Sequence, residues 1–503
     1  MRDWKRLCVL LMGAAFVCGV GGGSAGASAG DQTDAMRDSI VCVVSAVQSY
    51  NVTEPWKRRG LSDRWACGLA VGPYQVITTA QSVANHTFVK VLRYGQAEFI
   101  GAVAKVIDYE SDLCLIELDR AELREPLKPL RFTANYAKGQ DVTFHWLALD
   151  GSLNSGQGYL DRAHVERVRT SYGRRLRYVI ANASQKMGRG ELYQLGSTPI
   201  GIGCWAGDNR EADLIPGETI ARFLETAADG EDYAGFGEIG FAVSELRDPA
   251  LRSFLEMPAA VRGGVYVGNV YGLGTGAGRL SKGDVILEID GHAIDSYGRY
   301  EDPTYGPLSM QHLITRKAAG QEAALTVWRG GAEERIAANV ENFKPSDMLV
   351  PFHEYDQQPE YVIIGGFVFQ KLTREYLLEF GKNLAGQAPT HLYHYYRDQA
   401  FKPTDERESV VVLSHVLPTP TNLGYTGLSE LVVKSFNGRA VGSVAAIVEA
   451  AEQAPEGAHH VVEFEMNAPT VVIPRARLSD VDRFVSENYG IRELSNVRAA
   501  DGN

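Results

Sequence analysis

Between Asp38 and about Asp229 the chain is a succession of short apolar runs broken by turns, and this rhythm narrows the possible folds more than any other feature. Residues 39–45, 67–71, 88–92, 102–107 and 113–118 make one set; residues 142–146, 176–181 and 199–204 belong to a second. Runs of this length, rich in β-branched residues and evenly spaced, predict an all-β barrel or sandwich. Two sets of about six strands suit two packed barrels. Ile215-Pro216 then opens a predicted helix over residues 217–227, and residues 228–232 read as a polar hinge.

The rest of the chain has a different grammar. Residues 237–342 read as a small α+β unit, with a helix at 249–257, a glycine-led strand Gly263-Gly264-Val265-Tyr266-Val267, a turn–strand–turn at 283–291, a helix at 309–317 and a strand at 323–328. After a linker a comparable order returns: Gly365-Gly366-Phe367-Val368-Phe369, a strand and turn at 431–438, a helix at 444–453, and strands at 460–464 and 470–473. This is a diverged internal repeat. A chain of 503 residues needs several cores. The expected division is a signal segment 1–29, a double-barrel domain 36–229, a first small domain 236–343, a linker 344–359, a second small domain 360–480 and a tail 481–503.

The first thirty residues have a basic start (Arg2, Lys5, Arg6), an apolar run to Val20 and a small-x-small site at Ala27-Ser28-Ala29, which together predict export. A lipid-modified Cys18 is disfavoured by the bulky Phe16 and Val17 before it. No later run is long enough to span a bilayer. The exported protein is therefore expected to be periplasmic or extracellular. A net charge of -12 without any Lys/Arg-rich run excludes nonspecific nucleic-acid binding. Cys42, Cys67, Cys114 and Cys204 are far apart, lack metal spacing and read as small buried hydrophobes. No metal or cofactor is implied: there is no Walker or dinucleotide loop and no Gly-x-Ser-x-Gly, and His391, His394, His459 and His460 read as surface residues. Asn51-Val52-Thr53 is a glycosylation triplet of the kind that arises often by chance.

One stretch carries chemistry by what it lacks. Val76-Ile77-Thr78-Thr79-Ala80-Gln81-Ser82-Val83 is an apolar strand running into a short helical turn. With Glu110-Ser111-Asp112-Leu113, Pro55-Trp56-Lys57-Arg58-Arg59 and Ile77 to Val89, it resembles the trypsin-like domain of the HtrA/Deg serine proteases. Residues 365–369, 376–381 and 413–417 follow the second PDZ domain of the plant-type Deg branch. The resemblance covers nearly the whole chain after the signal segment. It implies a mostly β protein: a chymotrypsin-like double β-barrel followed by two small α+β PDZ-like domains.

Carried over position by position, the resemblance places the triad aspartate at Asp112. The histidine position holds Gln81, and an amide cannot take a proton from a serine hydroxyl near neutral pH. Counting back from Ile200-Gly201-Ile202 puts the nucleophile motif on Lys186-Met187-Gly188-Arg189-Gly190-Glu191, with Gly188 at the serine position. The hole of backbone amides that goes with that motif is not expected to survive these changes. His86 corresponds to a non-catalytic residue of the branch. Ser184 and Lys186 would be a Ser–Lys pair only with a buried lysine, so a solvated loop is expected there.

The PDZ resemblance implies peptide binding, with backbone amides taking a C-terminal carboxylate while the peptide adds a strand. The expected residues are Arg262, Gly263, Gly264, Val265, Tyr266 and Val267 in the first unit and Gly365, Gly366, Phe367 and Val368 in the second. The reading is a pseudoprotease that binds peptide C-termini or unfolded segments, or an active Deg-type relative that it regulates, in protein quality control. The resemblance further implies a trimer-based homo-oligomer. The competing readings are an active serine endopeptidase using other residues, and a purely structural envelope protein.

Overall fold

A computed structural model describes residues 36–227, 233–454, 457, 459–466 and 468–498. The signal segment 1–29 with Cys8 and Cys18, and the hinge 228–232, lie outside the described residues.

The first twelve strands close two barrels. β1 (Ile40–Val47), β2 (Ser62–Gly72), β3 (Gln75–Thr78), the one-turn helix α1 (Ala80–Val83), β4 (His86–Arg93), β5 (Phe99–Asp108) and β6 (Leu113–Leu118) make the first, closed in the order β1-β2-β3-β6-β5-β4. β7 (Asp141–Leu147), β8 (Leu153–Arg167), β9 (Arg174–Ala181), β10 (Leu192–Leu195), β11 (Thr198–Ala206) and β12 (Ala212–Pro216) close the second in the equivalent order. β1 and β9 are buried along nearly their whole length, which is why the sequence shows continuous apolar runs there and no alternation. Ile40, Leu69 and Leu113 of the first barrel meet Leu147, Leu192 and Ile202 of the second in one buried cluster. Ile220 and Phe223 of α2 (Gly217–Ala227) seal it. Each such side chain contributes about 1.5–3 kcal/mol by leaving water.

The first small unit comprises β13 (Phe241–Glu245), α3 (Pro249–Phe254), β14 (Val265–Val270), β15 (Val285–Ile289), β16 (His292–Ala293), β17 (Arg299–Asp302), β18 (Gly306–Ser309), α4 (Gln311–Thr315), β19 (Glu322–Arg329) and β20 (Ala332–Asn339). Its sheet runs β13-β14-β15-β19-β20, with β16 paired to β15. The second comprises β21 (Tyr361–Ile364), β22 (Phe367–Lys371), α5 (Arg374–Leu378), α6 (Leu384–Gln387), α7 (Thr390–His394), β23 (Val411–Val416), β24 (Leu431–Phe436), β25 (Arg439–Ala440), α8 (Val444–Glu452), β26 (His459–Phe464), β27 (Val471–Pro474), α9 (Leu478–Tyr489) and β28 (Ser495–Asn496). Its sheet runs β22-β23-β24-β26-β27, the same order, with β25 paired to β24; β21 and then β28 extend it beyond β22.

This topology corrects several expectations. The strand Val265-Tyr266-Val267 is not an edge: β14 pairs with β13 on one side and β15 on the other. The Gly264 N–H is not free either, since it donates to the Ile294 carbonyl (2.8 Å), and the Gly263 carbonyl accepts from Arg252 (2.9 Å). The edge strand is β13. In the second unit Gly365-Gly366 (φ 62° and 86°) is the two-residue turn of a β21–β22 hairpin, a left-handed pair that favours glycine. Phe367 and Val368 lie on β22, an inner strand between β21 and β23.

The linker and tail also prove to be structural. Met348, Leu349, Val350 and Phe352, in the expected linker, are buried against Leu372, Leu377 and Leu392. Val481, Val485 and Ile491, in the expected tail, form a core with Tyr361, Ile363 and Val368. His460 is buried, not superficial, because β26 alternates and turns that side chain inward onto Phe436 (ring centroids 5.3 Å apart), while His459 is exposed.

Candidate functional site

The cleft between the barrels gathers the residues singled out in the sequence. Its volume is about 630 Å³, and Trp65, Gln81, Gly188, Arg189, Trp205 and Tyr355 line it. Gln81 arrives on α1, directly after β3; Gly188 lies in the loop between β9 and β10. Asp112 sits just before β6, buried, with φ 62°.

At position 81, where the resemblance implies a histidine, the Gln81 amide is used up as a donor. Its backbone N–H donates to Asp112 Oδ1 (2.8 Å), and its Nε2 donates both to Asp112 Oδ2 (2.8 Å) and to the Cys204 carbonyl (2.9 Å). Because both Nε2 partners are acceptors, the amide orientation is fixed, and Oε1 is left as an acceptor that holds no proton-accepting power at neutral pH. Burial pushes the Asp112 carboxyl up to about 7, opposed by the Gln81 hydrogen bonds and the Arg177 charge. His86 is occupied elsewhere: its Nδ1 lies 2.8 Å from the Val83 carbonyl. Ser184 is exposed and its Oγ accepts from the Gln157 N–H, and Lys186 pairs with Asp208, both in the loop expected to be solvated.

The Gly188 loop holds a feature that the sequence did not announce. Glu191, wholly buried, turns its carboxylate back under the loop and accepts the backbone N–H groups of Gly188 (2.6 Å) and Arg189 (2.7 Å). The Tyr193 hydroxyl donates to the same carboxylate (3.2 Å). Burial raises the Glu191 pKa and these donors oppose the rise. The backbone amides of Gly188 and Arg189 are therefore already spent on an internal carboxylate. Gly188 itself has φ 90°, and a Cβ there would lie 2.5 Å from the Trp205 carbonyl carbon and 2.6 Å from its Cα. A side chain at position 188 has no room. The only signal for this in the sequence is an isolated acid, Glu191, leading an apolar strand.

Two further elements close on the cleft. Tyr355, from the stretch read as a linker, stacks on Tyr109 (4.2 Å between centroids). Its neighbour Asp356 exchanges hydrogen bonds with Asn85, 2.6 Å and 2.9 Å, and accepts from the Tyr109 hydroxyl. Behind Asp112, Arg175 of β9 forms a buried ion pair with Glu238, the residue three before β13. The Tyr233 hydroxyl donates to Asp108 beside it. The start of the first small unit is thus bonded to the floor of the barrel next to the triad position. The expected peptide-binding residues are not brought together: Arg262 is exposed next to an inner strand, and Gly365-Gly366 lies in the other unit.

The second unit is covered by the chain itself. Burial raises the Asp482 carboxyl of α9. β28 adds antiparallel to β21, with Tyr361 opposite Asn496 and Val362 opposite Ser495. Among the described residues no group of three or more His, Cys, Asp or Glu is placed to hold a metal ion, and no helix is long and apolar enough to cross a membrane.

Comparison with known proteins agrees with this architecture. A PDZ-domain family model matches residues 350–495, a span that takes in the packed linker, α9 and β28. Protease Do-like 4, mitochondrial, of Arabidopsis thaliana is 26% identical over 345 residues, 68% of this chain and 65% of its own length. The chain thus matches just under two thirds of that relative. Protease Do-like 2, chloroplastic, of the same plant is 24% identical over 469 residues, covering 90% of this chain and 74% of its own. Among solved structures, the HtrA-type protease AlgW with decapeptide aligns over 63% of this chain and 100% of its own, with 17% identity and a TM-score of 0.47.

Proposed function

The chain belongs to the HtrA/Deg family of serine proteases and carries a PDZ domain, and on that premise we propose that it is a non-cleaving member which works by binding polypeptide. The observation that carries the reading is the Glu191 carboxylate under the Gly188 loop. It consumes the amides of Gly188 and Arg189 and holds Gly188 against the Trp205 backbone. With Gln81 in place of a base, the site lacks the proton acceptor, the nucleophile and the oxyanion donors together.

Binding falls to the first small unit. Its edge strand β13 is open among the described residues, so an extended peptide can add to it with main-chain hydrogen bonds. The corresponding strand of the second unit, β22, is covered by β21 and β28, which suits that unit to a structural or assembly role. The partners proposed are peptide C-termini or unfolded segments, or an active Deg-type relative, within a trimer-based oligomer outside the cytoplasm.

The test is hydrolysis of casein together with labelling by a fluorophosphonate probe, on the chain and on its Asp112→Ala variant. No cleavage and no label is the expected result. Cleavage lost in Asp112→Ala would establish an active protease and end the proposal. Titration of peptides with free C-termini against the chain and a β13 variant, Ala242→Pro, tests the binding surface; equal affinity would exclude β13.

A further inference from the structure

The inter-barrel cleft keeps a chemistry of its own after the catalytic groups are gone. Three arginines, Arg64, Arg169 and Arg189, line it, against one acidic lining residue, Asp63. All three are exposed. Arg64 donates to the Gln81 carbonyl. The Arg169 guanidinium lies 4.9 Å from the ring centre of Trp205, and that of Arg189 lies 4.9 Å from the ring centre of Trp65. Among the described residues none of the three has an ion-pair partner. Three positive charges thus converge on one cleft without a paired carboxylate to neutralise them.

The two stacked pairs restrain the guanidiniums, because an arginine lying on an indole is held by cation–π attraction with its fork of N–H donors still free. Such a fork matches a carboxylate in two parallel hydrogen bonds. The floor supplies the opposite polarity: Gln81 Oε1 is an acceptor whose amide nitrogen is already committed to Asp112 and Cys204. A ligand fitting both carries anionic groups at the rim and an N–H donor at the centre. A polypeptide with Asp or Glu side chains has both, with the carboxylates and the backbone N–H on separate groups of one extended chain. At about 630 Å³ the cleft lies in the range of ligand sites and admits a short segment.

We propose that the inter-barrel cleft is a recognition site for acidic peptide segments, with Arg169 and Arg189 reading carboxylate side chains and Gln81 Oε1 taking a backbone N–H. The site is separate from the β13 edge and does not depend on a C-terminal carboxylate.

The experiment is fluorescence anisotropy on the full chain with labelled, C-terminally amidated peptides, one alternating Asp and Glu with Ala and the other its Asn/Gln isostere. Amidation removes the terminal carboxylate, so failure here is distinguishable from failure of binding at β13. The acidic peptide is expected to bind about tenfold tighter than its isostere. Arg169→Ala and Arg189→Ala are each expected to weaken it about fivefold, as for a single exposed ion pair. Arg189→Lys should recover part of that loss, and about 0.5 M salt should remove most of the preference. Both arginines are exposed, so the variants should fold, which circular dichroism checks. Equal binding of the isostere, or unchanged affinity in both alanine variants, would overturn the proposal. So would competition by inorganic phosphate or an oligonucleotide at lower concentration than the acidic peptide.

Discussion

Restoring a serine at position 188 tests the reading of the cleft more sharply than removing anything from it. Gly188 has φ 90°, where an L-residue costs about 1–3 kcal/mol. The new Cβ would lie 2.5, 2.6 and 2.7 Å from the carbonyl carbon and Cα of Trp205 and the nitrogen of Ala206. All three are backbone atoms of β11 or its end, so no rotamer change relieves the overlap; overpacking of this kind costs about 1–3 kcal/mol. Gly188→Ser should therefore lose roughly 2–6 kcal/mol. For a unit the size of the double barrel this corresponds to a lowering of its Tm by about 5–20 °C. The assay is thermal unfolding followed by tryptophan fluorescence, with fluorophosphonate labelling of Gln81→His/Gly188→Ser alongside. No labelling is expected, because Glu191 still holds the amides of residues 188 and 189. A double variant that keeps its Tm within about 2 °C and takes up the probe would refute the argument from loop geometry.

Three other outcomes follow from single features of the structure. Glu191→Ala strands two backbone N–H groups and should cost about 3 kcal/mol in urea unfolding, with Glu191→Gln, which keeps one acceptor, intermediate; equal loss in both would show that the carboxylate is not the loop's anchor. The Asp112 carboxyl is raised to about 7 in the folded chain from 3.8, so the native state holds the extra proton between those values; its contribution to stability is therefore full below about pH 4, falls as pH rises to about 7 and is flat above, an effect on the order of 4 kcal/mol that Asp112→Asn should abolish, and parallel curves for the two chains would contradict it. Truncation after Gly490 removes Ile491, which is 1% exposed, together with β28; it should cost about 2 kcal/mol and make the bared β21 edge associate, visible as concentration-dependent elution beyond that of the full chain, and an elution profile and stability unchanged from the full chain would argue against the strand addition.

How much of this was legible in the sequence differs from element to element. The barrels were, because strands buried on both faces must be apolar along their length, and β1, β3, β6 and β9 carry that signature. α2 was readable to its ends, since Pro216 closes β12 and the helix begins at Gly217. Gln81, Asp112 and Gly188 were singled out by resemblance; in the structure Gln81 and Gly188 line one cleft, and Asp112 is buried and bonded to Gln81. The edge strand was misjudged because a glycine pair before an apolar run looks alike whether its strand is inner or outer; strand pairing is a long-range property. Linker and tail were misjudged for a related reason: Phe352, Val481 and Ile491 are scattered apolar residues whose burial depends on surfaces far away in the chain.

The sequence by itself determined the local choices. It set which runs extend, where helices start, and that glutamine and glycine stand at positions 81 and 188, the two positions at which the resemblance implies a histidine and a serine. Tertiary structure decided the rest: that Glu191 folds back onto the amides of residues 188 and 189, that among the described residues β13 is open while β22 is covered, and that Arg169 and Arg189 face one cleft on two tryptophans. Each of these joins groups brought together by turns, barrel closure or sheet order. Their energies depend on distance and burial, which no single stretch of chain carries.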